Sequence, residues 1–158
     1  MSYRTLAFAS LGLWLGTAAV AGFLFLHGQT EPAVDGRQAI LLSDSERNLV
    51  LTEMRGMLES VQGVTEGIAR RDMKRVAAAG RVSGMASAQQ VPVSLMVKLP
   101  QAFKQMGQVT HRGFDEIALR AESGEPEEML LERLGEQLKN CIACHAVFRL
   151  TEAEKIAR

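Results

Sequence analysis

The sequence has no excess charge of either sign: its 18 basic and 18 acidic residues cancel. A neutral chain presents no basic field to nucleic acid and no acidic tail that would stay unfolded. Cysteine is nearly missing, with two in 158 residues, and histidine numbers three. A zinc site needs about four ligands, usually with a second pair at comparable spacing. No second cysteine pair exists here, and His27 and His111 are the only histidines apart from the one that follows the cysteines. Period-two runs of β-branched residues, repeats of solenoid length and low-complexity tracts are absent as well. No paired carboxylates or nucleophile–base arrangement argue for an enzyme; Glu127/Glu128 and Glu152/Glu154 read as solvated helix faces. What remains is a helical chain of one-domain length.

One long apolar run is present. Residues 5–26, "TLAFASLGLWLGTAAVAGFLFL", carry no charge and as a helix can cross a bilayer core of roughly 30 Å. Arg4 precedes the run while Glu31 and Asp35 follow it. The positive-inside bias therefore predicts a single-pass inner-membrane protein with its C-terminal domain in the periplasm. "AVA" at 19–21 resembles a signal-peptide cleavage site, but the run continues through "GFLFL" beyond it, which favours an uncleaved anchor. Both readings export the remainder. The expected organisation is a cytoplasmic stub (1–4), an anchor (5–26), a Gly-, Pro- and polar-rich tether (27–42) and a folded domain (43–158). His27, where the run meets water, reads as an interfacial side chain.

From residue 43 the signals are helical. "SDSE" at 43–46 is a capping box. Val50, Met54, Met57, Val61, Val64 and Ile68 then recur at steps of four and three, as one face of a helix. Asp72 can cap a second helix through residue 87, with Met73, Val76, Ala77, Gly80 and Met85 inward. Pro92 can begin a short helical piece to Leu99. Pro100 begins a third long helix, with Phe103, Met106, Val109 or Thr110, Phe114, Ile117 and Leu119 apolar. His111 on that helix reads as solvated rather than as a ligand. Pro126 begins a fourth, whose stripe is Leu131, Leu134, Leu138, Cys141 and His145. The predicted fold is all-α: an antiparallel four-helix bundle preceded by one transmembrane helix.

Both cysteines and one histidine fall in "CIACH", residues 141–145. A redox dithiol needs a thiolate, which the positive end of a helix dipole stabilises. These cysteines come late in their helix, nearer its negative end, and no βαβ pattern surrounds them. A disulfide within one turn would strain the helix and add little. Covalent haem attachment fits each residue. Two thiols on one turn match the two vinyl groups of a porphyrin, and the adjacent histidine can bind the iron.

"CIACHAVFR" near the end of a four-helix chain resembles the cytochrome c′ family, the class II c-type cytochromes. "HRGFDEIALRAESGE" through "FR" is also similar to the last two helices of the soluble four-helix b-type cytochrome. The resemblance covers roughly residues 43–150. It implies one haem c held by Cys141 and Cys144, with His145 as proximal iron ligand and Phe148 and Arg149 beside it. Arg149 would pair with a propionate. Low-spin members take a methionine from the first helix as distal ligand, which implies Met54, with Met57 one turn away as the alternative. High-spin members leave the iron five-coordinate. The expected function is thus periplasmic electron transfer without enzymatic activity, the alternative being a gas-binding protein for nitric oxide or carbon monoxide. The expected partners are the membrane and redox proteins of unknown identity. Family members often pair through the first two helices, where Gly56, Gly63 and Gly67 would leave room for a homodimer.

Overall fold

The computed structural model describes residues 2–89 and 91–153. Most of the chain is helical. In order, the elements are helix α1 (Tyr3–His27), strands β1 (Thr30–Pro32) and β2 (Gln38–Leu42), and helices α2 (Asp44–Ala69) and α3 (Met73–Val82). The single turns α4 (Met85–Ala88) and α5 (Val93–Met96) follow, then α6 (Gln101–Glu122), α7 (Glu127–Val147) and strand β3 (Phe148–Glu152). Glu154 and the expected domain end at 158 lie outside the described residues.

α1 is long and apolar enough to cross a membrane, and none of its residues is buried. α2 starts where the capping box predicts. Ser43 Oγ accepts from the Glu46 amide, and the Glu46 carboxylate accepts from the Ser43 amide at 2.9 Å. Asp72 likewise caps α3, accepting from the Arg75 amide at 3.0 Å. α2 packs on α3, α3 on α6, α6 on α7, and α7 back on α2. Val64, Val76, Ile117, Ala118, Leu130 and Leu134 fill the space between them, each large aliphatic side chain contributing about 1.5–3 kcal/mol by leaving water.

Two expectations need correction. The second helix does not run to residue 87. It breaks at Ser83–Gly84, because Asp115 of α6 accepts from the Met85 amide at 2.8 Å and starts a new turn there. On α6, Ala118 and Ala121 take the place expected of Leu119, while of the two alternatives Val109 and Thr110 it is Thr110 that turns inward.

The largest departure is the expected tether, and with it the expectation of a fold built from helices alone. Residues 30–42 form an antiparallel hairpin, and β3 adds parallel to β2, from Gln38↔Phe148 to Leu42↔Glu152. Apolar burial drives this. Ile40 and Leu42 are fully buried in a second core cluster with Val50, Leu95, Leu99 and Phe148. The hairpin turns through Gly36 at φ 82°, a left-handed conformation that glycine adopts without steric cost.

Candidate functional site

The site is built on the last two turns of α7. Residues three and four apart share a helix face, so Cys141 and Cys144 point the same way and His145 flanks them. The inward stripe of α7 is Leu130, Leu134 and Gln137, continued by half-buried Cys141 and Cys144 and by buried Phe148. This corrects the expected stripe by one position: Leu131, Leu138 and His145 are exposed. Two contacts select the register. Gln137 Nε2 donates to the Thr110 carbonyl at 2.7 Å inside the α6–α7 interface. Phe148 stands edge-on to Phe103, with ring centroids 5.5 Å apart.

Beside this face α2, α6 and α7 line an open groove of about 470 Å³, within the range of small-molecule and cofactor sites. Val50, Leu51, Met54, Met57 and Val61 of α2 line one wall. Phe103, Met106, Thr110 and His111 of α6 line another, and Leu138, Cys141, Cys144 and His145 of α7 the third. The structure therefore brings together the two cysteines, the histidine and both candidate distal methionines.

A smaller cavity of about 180 Å³ adjoins the groove and shares Met54, Phe103, Cys144 and His145 with it. It adds Phe148 and Arg149, both expected from the sequence, and Arg37 and Arg47, which were not. Arg37 Nη2 and Arg149 Nη1 both donate to Asp35 Oδ2, at 2.8 and 3.1 Å. Arg37 also donates to the carbonyl of His145 at 3.3 Å. The side-chain and backbone hydrogen bonds from Arg37, assisted by the charge of Arg149, lower the Asp35 pKa to about 2. Arg37 is more than a hundred residues from Arg149, so only the β2–β3 pairing could have disclosed it.

Burial pushes the thiol pKa values of Cys141 and Cys144 upward, so both sulfurs are protonated at neutral pH. This is the opposite of what an attacking dithiol needs. His111 is also corrected: it is 5% exposed, not solvated. Its Nε2 lies 3.4 Å from Glu53 Oε1, and its Nδ1 is 2.9 Å from the Ser83 carbonyl. Burial opposes the imidazolium, but Glu53, Ser83 and Asp115 outweigh it and raise the pKa. His27 stacks on Phe23 at 4.0 Å at the end of α1.

Among the described residues no three His, Cys, Asp or Glu side chains converge to hold a metal ion. Haem makes no such demand, because the porphyrin supplies four of the iron's ligands. An apolar groove bearing two neighbouring thiols and an accessible imidazole, with arginines at its end, fits that group. Comparisons with protein-family models, curated proteins and solved structures return no match.

Two of the three glycines expected to leave room for a partner are occupied within the chain. A Cβ on Gly63 would stand 2.8 Å from Ala79 Cβ, and one on Gly67 would stand 2.7 Å from Val76 Cγ2. They admit α3 against α2, and only Gly56 faces open space.

Proposed function

We propose that this chain is a membrane-tethered c-type cytochrome whose exported domain, a four-helix bundle, carries electrons through one covalently attached haem. The carrying observation is the groove, which gathers Cys141, Cys144, His145 and Met54 on its walls. Cys141 and Cys144 would hold the haem as thioethers, each S–H adding across one vinyl double bond, which would need no oxidant. His145 would hold the iron as proximal ligand and Met54 as the distal one, with Met57 as the alternative. Arg149 and the newly found Arg37, which share Asp35 as acceptor, would be the residues to pair with the propionates. Haem supplies a one-electron ferric–ferrous couple, whose potential His/Met ligation and burial raise. The uncharged run 5–26 keeps the carrier in the inner membrane with its domain in the periplasm, close to membrane-bound donors and acceptors.

Acid–acetone extraction tests the attachment. Haem is expected to stay with the denatured wild-type protein, and the reduced pyridine haemochrome to show two saturated vinyl groups. The double variant Cys141→Ala, Cys144→Ala is expected to lose its haem under the same treatment. Extraction of haem from the wild type would overturn covalent attachment. Denatured protein free of haem altogether would overturn the haem reading.

A further inference from the structure

Residues 82–97 contain no charged side chain, the only such stretch of comparable length apart from 5–26. One side of it is packed: Leu95 and the following Leu99 are buried in the second core cluster. The opposite side of α5 has no cover among the described residues. Val93 is 78% exposed and Val97 48% exposed, and at a spacing of four they share a helix face.

This face is joined to the end of α1. Lys104, buried at the start of α6, sits with Nζ 3.5 Å from the centre of the Phe25 ring. It donates to the Phe25 carbonyl at 3.1 Å and to the Met96 carbonyl at 3.5 Å. One ammonium thus clamps the last turn of the apolar helix to the last turn of α5. The Gln29 amide donates to the Lys98 carbonyl at 2.7 Å. Gly28, at φ 62°, packs so closely that a Cβ there would stand 2.4 Å from the same oxygen. The chain therefore leaves α1 and turns directly onto the end of α5.

We propose that residues 91–97 are a second contact with the lipid bilayer, lying in its interface beside the span with Val93 and Val97 entering the acyl-chain boundary. This rests on the reading of α1 as a membrane span. An apolar surface held at the height where a span ends meets lipid before it meets anything else, and burying it there removes its exposure to water. A protein partner would be marked by aromatic or arginine anchors and a polar rim. The exposed side offers only Pro92, Val93, Ser94 and Val97.

The test uses the full-length, haem-loaded chain in bilayers of phosphatidylcholine and phosphatidylglycerol. These carry a phospholipid with a diazirine in its acyl chain, and adducts are mapped by peptide mass spectrometry after irradiation. Adducts are expected within 5–26 and within 91–97. They are not expected at exposed Leu119, which lies fifteen residues beyond Lys104, about 22 Å along α6 at 1.5 Å per residue. The double variant Val93→Asp, Val97→Asp should lose the 91–97 adducts and keep those of the span. Adducts confined to the span would overturn the second contact while leaving the span intact. Absence of adducts from the span as well would overturn the membrane reading itself. Labelling of 91–97 that persists in the aspartate variant would show diffusional capture and overturn the contact too.

Discussion

Met54 and Met57 stand on the same wall of the groove, but only Met54 also borders the arginine-lined cavity. On the proposed reading that difference favours Met54 as the distal ligand, since His145 also borders both spaces and an iron it held would lie near their junction. A thioether favours ferrous iron and, by filling the distal position, keeps diatomic gases out. The ferric wild type is expected to be low-spin with a weak methionine–iron band in the far red. Met54→Ala should lose that band, lower the potential and admit carbon monoxide. Met57→Ala should keep the band and cost less than the roughly 2–5 kcal/mol of a fully buried methionine, because Met57 is only half-buried. Loss of the band in Met57→Ala alone would move the ligand by one turn. A high-spin wild type that binds carbon monoxide would transfer the function to gas binding. His111 carries a second expectation at this scale. Its folded-state pKa is raised, so the Glu53 contact contributes fully below the unfolded pKa of about 6.5. The contribution is lost as pH rises through the raised folded value. Glu53→Gln should therefore destabilise the domain more at about pH 5.5 than at about pH 9, measured by urea denaturation. An equal cost at both pH values would remove the ion pair from the account.

Among the elements, the helices were legible and the sheet was not, for a physical reason. A helix repeats its pattern within a few residues, so Ser43, Asp72, Pro100 and Pro126 mark where four of them begin. Periodicity alone could not choose between adjacent stripes on α7. Leu131–Leu134–Leu138 and Leu130–Leu134–Gln137 both fit a 3.6-residue repeat, and the second prevails because Gln137 finds the Thr110 carbonyl and Phe148 packs on Phe103. The same ambiguity placed His145 on the core stripe, where the structure leaves it exposed. Strands β2 and β3 are five residues each and pair across most of the chain, which no local pattern reveals. The cysteines and the histidine needed no register, since their spacing is itself the signal. If residues 38–42 are structural rather than a tether, Leu42→Ala should cost about 2–5 kcal/mol, as for other fully buried leucines. A free tether would show no change in the denaturation midpoint.

At the scale of the whole molecule, α1 is joined to the residues that follow it through Lys104, Gly28 and Gln29. An uncharged run attaches by the hydrophobic effect, which salt does not screen. The protein is therefore expected in the membrane fraction and should remain there after a high-salt wash. Recovery of a soluble form whose N-terminus lies near Gly22 would instead establish cleavage. The haem assignment does not depend on that outcome.

The parallel pairing of β2 with β3 also governs the order in which the domain assembles. Closing it joins residues 38–42 to residues 148–152, and the entropy of so long a loop must be spent before any ladder hydrogen bond forms. Neighbouring helices dock through shorter loops, so the sheet is expected to close late. Until it does, the segment just before β3 is held at one end only, and that segment is the one carrying Cys141, Cys144 and His145. On the proposed reading, a sheet that closes late would leave Cys141 and Cys144 open for a longer interval to the haem they would hold. In kinetic terms Leu42→Ala should speed unfolding and leave the folding rate nearly unchanged. A matching slowdown of folding would place the strands in the nucleus and shut that interval.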